Sequence, residues 1–277
     1  MQNLFRLLFC FHFFCAKRTL LPPTNKIHRG DLAIIMTTLV LGGSGATGRE
    51  LVKQLIESNH EVRTIVRSKE TFHQVVPPND DLLKVTEASV LSMDDESFLS
   101  CIEGCDAVGI CLGHNVTFKG IYGKPRYLVR DALARVCKAI ETLKPTKKMK
   151  VVLMGSIGVD NPDGSDPKRA FRDRLILSMV RALIPPHRDN EAAAAYLSDF
   201  IGQDNPYIDW VVVRPDDLLD GPVSEYIVEE KIHTEGLFGA RATTRSNVAH
   251  FMADLIGNKE LFEKWLFKMP VPTNVKT

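Results

Sequence analysis

Three glycines stand at three-residue spacing in VLGGSGATGRELV, residues 40–52, at positions Gly42, Gly45 and Gly48. An apolar run precedes them and an amphipathic run follows, which is typical of a strand, a tight turn and a helix. The first glycine permits the turn, the second lets backbone amides approach a diphosphate, and the third lets the helix pack closely on the strand. Because unpaired N–H groups and the positive dipole end face the anion, the spacing predicts a dinucleotide-binding turn.

The residues after the second apolar run indicate which dinucleotide is bound. Proteins that bind NAD usually place an acidic residue about 20 residues after the glycines, where it contacts the ribose 2′-hydroxyl. Here the run EVRTIV ends in Arg67, Ser68 and Lys69, which offer two cations and a hydroxyl to a 2′-phosphate. The sequence therefore predicts NADP(H) in preference to NAD(H). The alternative is that Arg67 and Lys69 are ordinary surface charges.

Small and polar residues also follow the other apolar runs, at the sheet edge where ligands bind in open α/β folds. These positions are 89–90, 111–115, 155–157 and 214–216. We expect Ser89 and Val90 beside the adenine and the later sets nearer the nicotinamide. His114 is a candidate for substrate contact or a polar loop residue, and Cys111 is expected to be a small apolar wall residue.

A further polar stretch, PPHRDNEAAAAYL, is predicted to begin a helix that borders the nicotinamide. One of four residues, His187, Asp189, Asn190 or Glu191, could steer or protonate a bound acceptor, since imidazole and carboxyl groups in a cleft can donate protons. His187 and Asp189 are the candidates that we single out. The alternative is structural. In that interpretation Asp189 caps its own helix, Glu191 complements the helix dipole and His187 is exposed.

From Met36 onward, six short apolar segments alternate with helical ones, the pattern of parallel βαβ crossovers. The predicted strands are 38–41, 62–66, 83–86, 107–112, 150–154 and 210–213. Their Val, Ile and Leu content suits burial on both faces. The sequence predicts one domain over residues 36–277: a Rossmann-type doubly wound parallel sheet with a small C-terminal substrate lobe.

Residues 161–186 interrupt this alternation with a polar loop and the basic amphipathic segment KRAFRDRLILSMVRALI. They are predicted to form an insertion near the carboxyl edge of the sheet, as a lid or an interface. The basic face could contact a membrane surface, but the pattern favours a solvated helix face.

Composition excludes several classes of protein. With 277 residues, 44% hydrophobic and 25% charged, the chain can bury one substantial core. A net charge of +1 without long basic runs argues against a nucleic-acid partner. The six cysteines form no Cys-x-x-Cys pair and no zinc-spaced cluster, so we expect no metal and a reduced compartment.

Residues 1–35 differ in kind from the rest of the chain. They contain no acidic residue before Asp31, and their apolar run at 7–16 is shorter than the roughly 20 residues that span a bilayer. A mitochondrial presequence, a secretory signal and a leader without a role in the folded protein remain alternatives. Met36, directly before the first strand, favours the last. The sequence therefore predicts that residues 1–35 lie outside the fold and that the chain has no integral membrane segment. It also predicts a cytoplasmic protein, or a mitochondrial one if residues 1–35 are a presequence.

The segments TLVLGGSGATG, IVRS, CDAVGICLG, VVLMGSIG, WVVVRPDDL and RSNVAHFMADLI together resemble the atypical short-chain dehydrogenase/reductases. The similar branch contains the NmrA-like proteins and the biliverdin-IXβ/flavin reductases, and the resemblance runs from about Thr37 to Ile256. It implies cofactor contacts at Gly42, Ser44, Gly45, Ala46, Thr47, Gly48, Arg67, Ser89, Val90, Leu112, Gly113, Ser156 and Pro215. It also implies that Ser156, a third catalytic candidate, lies beside the nicotinamide.

The chain departs from this family in two respects. Short-chain dehydrogenases generally use a Tyr-x-x-x-Lys pair, in which the lysine lowers the pKa of the tyrosine that donates a proton. None of the five tyrosines here has a lysine four residues later, so alcohol and ketone chemistry by that pair is not expected. Where the flavin reductase-like members have an acidic residue before Val90, this chain has Ser89.

Two functions remain open at this point. The first is an NADPH-dependent reductase of a planar conjugated acceptor, such as a flavin, quinone or tetrapyrrole, that takes its proton from solvent. The second is a non-catalytic NADP(H)-binding redox sensor of NmrA type with a regulatory protein partner. His114, Tyr122 and Leu218 are predicted to line an acceptor pocket. Arg67 argues against a methyltransferase. An epimerase or dehydratase remains an alternative, although those relatives generally retain the tyrosine.

Overall fold

The strands of the protein are short and rich in Val, Ile and Leu. The computed structural model describes residues 35–114, 122–232 and 241–275, and the backbone of residues 19–21. In chain order the strands are β1 (Thr19–Leu21), β2 (Thr37–Leu41), β3 (Glu61–Val66), β4 (Leu83–Glu87), β5 (Ala107–Ile110), β6 (Met149–Met154), β7 (Ile208–Val213), β8 (Asp217–Leu219), β9 (Tyr226–Glu229), β10 (Ala242–Thr244) and β11 (Val271–Asn274). The helices are α1 (Ala46–Glu57), α2 (Lys69–His73), α3 (Asp95–Ile102), α4 (Leu128–Leu143), α5 (Phe171–Leu183), α6 (Pro185–Ala195), α7 (Arg245–Gly257) and α8 (Lys259–Trp265), and α6 continues into a π-helical turn, Tyr196–Ile201.

Strands β2 to β7 form one parallel sheet in the spatial order β4-β3-β2-β5-β6-β7. All six predicted strands are present, each within two residues of its predicted ends. The predicted doubly wound sheet is therefore confirmed. The chain runs outward from β2 through β3 and β4 and then returns to β5 on the other side of β2, which opens a crevice between these strands at the carboxyl edge.

Helices cover both faces of this sheet. Helices α1 and α7 pack on one face, and α3, α4 and α6 pack on the other. Side chains alternate along β2, so Leu39 and Leu41 join the core beneath α4 while Val40 joins the core beneath α1. Burial on both faces explains why β2, β5 and β7 are largely apolar, whereas the edge strand β4 (LKVTE) alternates apolar and polar residues. Strand pairing holds the carboxyl ends of β2, β5, β6 and β7 side by side.

Two small sheets accompany the central one. Strand β9 pairs antiparallel with both β1 and β11, and β8 pairs in parallel with β10. Thr19–Leu21 thus pair with the domain, whereas the sequence predicts that all of residues 1–35 lie outside the fold. The rest of residues 1–34 lies outside the described part. Among the described helices, none is long and apolar enough to cross a membrane.

Candidate cofactor and active site

The glycine turn between β2 and α1 has no room for side chains at two positions. Gly42 has a φ of +83°, and a Cβ there would stand 2.6 Å from the carbonyl oxygen of Cys111. A Cβ on Gly48 would overlap the carbonyl group of Gly42. The first and third glycines therefore have the roles that their spacing predicts. Gly42 turns the chain, and Gly48 lets α1 pack against the turn.

The second glycine leaves the start of α1 open. Gly45 is the N-cap, no side chain caps the helix, and its first turn contains no acidic residue. Ser44, Gly45 and Ala46 are exposed, whereas Thr47 is buried. The first amides of a helix have no intrahelical acceptor, so they are available to a bound anion. This cradle fits the diphosphate of a dinucleotide.

The end of β3 presents the predicted recognition residues for a 2′-phosphate. Arg67 and Lys69 are exposed, and the Ser68 hydroxyl accepts a hydrogen bond of 3.2 Å from the Thr71 amide, which caps α2. The sequence analysis missed Glu87 at the end of the neighbouring strand. Its carboxylate accepts a hydrogen bond of 2.7 Å from the Lys69 amide. One carboxylate therefore stands at the edge of the predicted phosphate site.

An arginine that the sequence analysis did not single out fixes the turn after β4. Ser89 is exposed and Val90 is buried. The guanidinium group of Arg135, on α4, donates hydrogen bonds to the carbonyl oxygens of Val90 and Met93. The predicted adenine-contacting turn is thus held by the helix that packs beneath it. The sequence gives little indication of this role for Arg135, because arginines are common on exposed helix faces.

The remaining predicted cofactor contacts lie at the carboxyl ends of β5 and β7. Leu112 is half-buried and Gly113 is exposed. Cys111 before them is buried, and burial raises the pKa of its thiol to about 12, as expected of an apolar wall residue. Pro215 is buried, and its carbonyl oxygen accepts a hydrogen bond of 2.9 Å from the Ile157 amide.

His114 and Asp189 form a buried pair beyond β5. His114 Nε2 lies 2.8 Å from Asp189 Oδ2, and the Asp189 side chain has no exposed surface. The same carboxylate accepts hydrogen bonds from the amides of Val129 (2.8 Å) and Arg130 (2.9 Å). Asp189 therefore caps the N-terminus of α4 from within α6. This corrects the structural alternative drawn from the sequence, in which Asp189 caps its own helix.

Ser156 and His187 both lie close to Gly158, just after the end of β6. Ser156 Oγ accepts a hydrogen bond of 3.2 Å from the Gly158 amide. A Cβ on Gly158 would stand 3.2 Å from His187 Cε1 and 3.6 Å from Ser156 Oγ, so both side chains lie near Gly158. The His187 side chain is only 9% exposed, which corrects the expectation that it is simply exposed.

Two further side chains stand behind His187. Its Nε2 lies 3.2 Å from Glu191 Oε1, without hydrogen-bond geometry, and Arg181 binds the Glu191 carboxylate through two nitrogens. Burial would raise the pKa of Glu191, but the contacts with His187 and Arg181 outweigh it and lower this pKa to about 2. The carboxylate stays ionised and lies beside Nε2 of the imidazole, while Cε1 and Nδ1 of the ring lie near Gly158.

A buried ion pair ties together the loops around Ser156. The Arg214 guanidinium has no exposed surface, and it binds the Asp166 carboxylate and the carbonyl oxygens of Val159 (3.0 Å) and Met269 (2.8 Å). Asp166 also accepts a hydrogen bond of 2.7 Å from the Asn161 amide. This pair connects the loop after β6, the end of β7 and the approach to β11.

The structure does not join the predicted acceptor-pocket residues into one described cavity. Tyr122 is 46% exposed. Leu218 lies in β8, paired with Thr243 of β10, and packs partly buried against the core beneath α1 and α7. Residues 115–121 and 233–240 lie outside the described residues. In the described part, no group of three or more His, Cys, Asp or Glu residues is placed to hold a metal ion.

Comparison with known proteins assigns the family. A family described as NAD(P)H-binding matches residues 42–259, from the first glycine of the turn to the start of α8. The chain belongs to this NAD(P)H-binding family. Membership confirms the predicted resemblance and the predicted class of cofactor, and the dinucleotide cradle at the glycine turn supplies its physical basis.

Individual relatives agree with this assignment. The chain is 27% identical over 145 residues to the oxidoreductase ptaF of Pestalotiopsis fici, an alignment that covers 50% of this chain and 53% of ptaF. It therefore spans about half the length of this relative. A protein from Streptococcus pneumoniae described as an NADH-flavin reductase has a TM-score of 0.56 at 16% identity, covering 87% of this chain and 100% of that chain.

A short-chain dehydrogenase/reductase from Veillonella parvula in complex with NADP has a TM-score of 0.59 at 14% identity. That comparison covers 86% of this chain and 94% of the Veillonella chain. At these identities the two structures establish a shared fold.

Proposed function

We propose that the protein is an NADPH-dependent reductase that transfers hydride to a planar conjugated acceptor such as a flavin, quinone or tetrapyrrole. The observation that carries this proposal is that Ser156 and His187 both lie close to Gly158 at the carboxyl edge of the sheet. A histidine backed by the ionised Glu191 carboxylate stands where the family resemblance leads us to expect a tyrosine–lysine pair. The oxidoreductase relative and the structural neighbour described as an NADH-flavin reductase support the same reaction class.

Each part of the carboxyl edge then has a role. Bound NADPH would supply a hydride from its nicotinamide ring. The glycine turn and the start of α1 bind the diphosphate, and Arg67 with Lys69 binds the 2′-phosphate. Ser89 and Val90 border the adenine. Leu112, Gly113, Ser156 and Pro215 line the nicotinamide end, where correct positioning lowers the barrier to hydride transfer.

The absence of a tyrosine–lysine pair suits this class of acceptor. A conjugated acceptor delocalises the charge that arrives with the hydride, so it needs no strong acid at one carbonyl oxygen. The imidazole of His187 is held between Glu191 and the Ser156 loop, and it can pass a proton from solvent to the reduced acceptor. His114 is held by Asp189, which acts as a positioning residue because its carboxylate is buried and bonded to three donors.

The second candidate is an NADP(H)-binding redox sensor with a regulatory protein partner. The observation that favours this sensor is that both carboxylate oxygens of Asp189 bind backbone amides of α4. Asp189, one of the three catalytic candidates, therefore has a structural role rather than a catalytic one. In this case the cofactor would be bound at the same cradle without turnover.

One experiment separates the two candidates. NADPH and NADH are titrated into the full chain while protein fluorescence is followed, and oxidation of NADPH is then measured with FMN and a panel of small quinones. Tight binding with turnover supports the reductase. Tight binding without oxidation by any acceptor supports the sensor. Absence of NADPH binding overturns both.

A further inference from the structure

Helix α5 has an uncovered apolar side. Phe171, Leu175, Met179 and Leu183 stand four residues apart, so they share one side of the helix, and they are 74%, 55%, 53% and 64% exposed. We call these four residues the α5 stripe. On the opposite side Leu177 is buried against the domain. A continuous row of large exposed apolar side chains marks an interaction surface rather than a solvated face.

The charges beside the α5 stripe have one sign. Arg172 and Arg174 are exposed, and the Arg174 guanidinium lies 5.9 Å from the ring centroid of Phe171. Asp173 is the one acidic residue of α5, and it is buried. The outward side of the helix is therefore apolar and cationic, without an exposed carboxylate.

An arginine-lined cavity lies at the C-terminal end of α5. It has a volume of about 110 Å³, and its lining includes Arg126, Arg181 and Arg188. Arg181 is neutralised by Glu191. Arg188 bonds a carbonyl oxygen through Nε, and Arg126 makes no ion pair or hydrogen bond within the described part of the chain. Two positive charges are left to bind an anionic group such as a phosphate.

These features favour an anionic surface over a second copy of the chain. A two-fold contact through the α5 stripe would bring the cationic α5 of one copy against the cationic α5 of the other, with no exposed acidic residue on either helix to pair with the arginines. A bilayer surface that contains anionic lipid offers both complementary parts. Its acyl boundary accepts large apolar side chains, and its phosphates accept arginine.

We propose that α5 docks the protein on the surface of an anionic phospholipid membrane. The α5 stripe enters the boundary between headgroups and acyl chains, Arg172 and Arg174 lie at headgroup level, and the arginine-lined cavity takes a lipid phosphate. The helix lies in the plane of the surface and does not cross the bilayer. This inference does not depend on the proposed reductase activity.

The apolar part is tested by vesicle co-sedimentation of the full chain. The vesicles contain phosphatidylcholine alone, or phosphatidylcholine with an equal amount of phosphatidylserine. The variant Leu175→Gln with Met179→Gln should lose most of the binding to the anionic vesicles. The matched control is Phe200→Gln, because Phe200 is 82% exposed on the π-helical turn and lies outside the α5 stripe. It should bind like the wild type.

The charged part is tested in the same assay. Each cationic side chain at an anionic surface contributes roughly a fivefold gain in binding, so Arg172→Glu with Arg174→Glu should weaken binding by at least about tenfold. The control, Lys84→Glu with Lys138→Glu, makes the same change in net charge at two exposed lysines away from α5. It should weaken binding far less. Added salt should release the wild type.

Three outcomes would overturn the proposal. The first is no binding of the wild-type chain to the anionic vesicles. The second is equal binding by wild type and both α5 variants, and the third is a dimer of the wild type that the α5 variants convert to monomer without changing vesicle binding. All variants carry the same residues 1–35, so any contribution from that segment is constant. NADPH titration checks that each variant is folded, and its result is independent of vesicle binding.

Discussion

Glycine at positions 45 and 48 serves two different purposes, which substitution by alanine can separate. Gly45 has an ordinary negative φ, and a Cβ there would stand 3.2 Å from the Gly42 carbonyl oxygen, a tight contact that small shifts relieve. Gly48 has no such room, because a Cβ would overlap the Gly42 carbonyl group. Gly45, the second glycine of the turn, is predicted to keep space for the diphosphate, whereas Gly48, the third, keeps the turn and α1 in contact.

We therefore expect Gly45→Ala to fold but to lose NADPH affinity, because the methyl group occupies space that the diphosphate needs. Gly48→Ala should lose both thermal stability and NADPH affinity. Thermal unfolding and fluorescence titration measure the two effects on the same samples. Unchanged NADPH affinity in Gly45→Ala would refute the placement of the diphosphate.

The preference for NADPH is tested at Arg67. Arg67→Asp removes a cation from the 2′-phosphate and adds a repulsive charge, so NADPH affinity should fall by about tenfold or more while NADH affinity changes little. Lys84→Asp, at an exposed site on β4, is the charge-matched control. Equal losses for the two dinucleotides would mean that the 2′-phosphate is recognised elsewhere.

Glu87 gives the reciprocal prediction for the same site. Its carboxylate lies beside the Lys69 amide, so Glu87→Gln should tighten NADPH binding and leave NADH binding almost unchanged. Titration of both dinucleotides measures this difference. A variant that binds the two dinucleotides as the wild type does would show that the carboxylate is too distant to repel the 2′-phosphate.

Glu191 predicts a dependence of stability on acid pH. Its pKa is about 2 in the folded protein and near 4.5 when unfolded, so its contribution to stability is fully present above pH 4.5. This contribution is lost as the pH falls from about 4.5 to about 2. Glu191→Gln should therefore be less stable than the wild type at neutral pH, and the difference should shrink over this interval. Urea unfolding across the pH range measures it, with the exposed Glu57→Gln as control.

At the scale of elements, α6 supports α4 through one carboxylate. Asp189→Asn keeps the shape of the side chain but loses the charge and one acceptor oxygen for three buried donors. We expect a loss of about 3 kcal/mol in the free energy of unfolding, measured by chemical denaturation. The control is Asp94→Asn at the exposed N-cap of α3, where asparagine caps as well as aspartate and little change is expected. Equal effects at the two sites would contradict the buried role of Asp189.

The elements of the sheet could be predicted, whereas contacts between helices could not. Continuous runs such as 210–213 are apolar on both faces, which is a local property that the sequence displays. The glycine turn was predicted for the same reason, since its three residues lie within seven positions. The contact of Asp189 with Val129 joins residues 60 positions apart, and no local pattern distinguishes it from a cap of its own helix. Glu87 and Arg135 were missed because only strand and helix packing bring them to the cofactor site.

For the whole molecule, the question is whether the domain folds without residues 1–35. Strand β9 pairs with β11 as well as with β1, and Tyr226 and Val228 of β9 are fully buried. We expect a chain that starts at Met36 to keep its far-ultraviolet circular dichroism and its NADPH affinity. The full-length chain is the control. Aggregation or loss of cofactor binding would show that the pairing of Thr19–Leu21 is needed for the fold.

The buried pair of Arg214 and Asp166 has a consequence for redesign of the protein. It anchors the chain just before α5, and the hold of Asp189 on α4 anchors it again just after, within α6. The stretch 167–184 therefore lies between two fixed ends. Within it, Arg169 binds the Ile157 carbonyl oxygen and Arg181 binds Glu191 behind His187, so these two arginines belong to the surroundings of the candidate site. Phe171, Leu175 and Met179 face outward instead. Libraries aimed at new recognition surfaces should therefore vary the exposed positions of that stretch and keep Arg169 and Arg181, so that the contacts around Ser156 and His187 are retained.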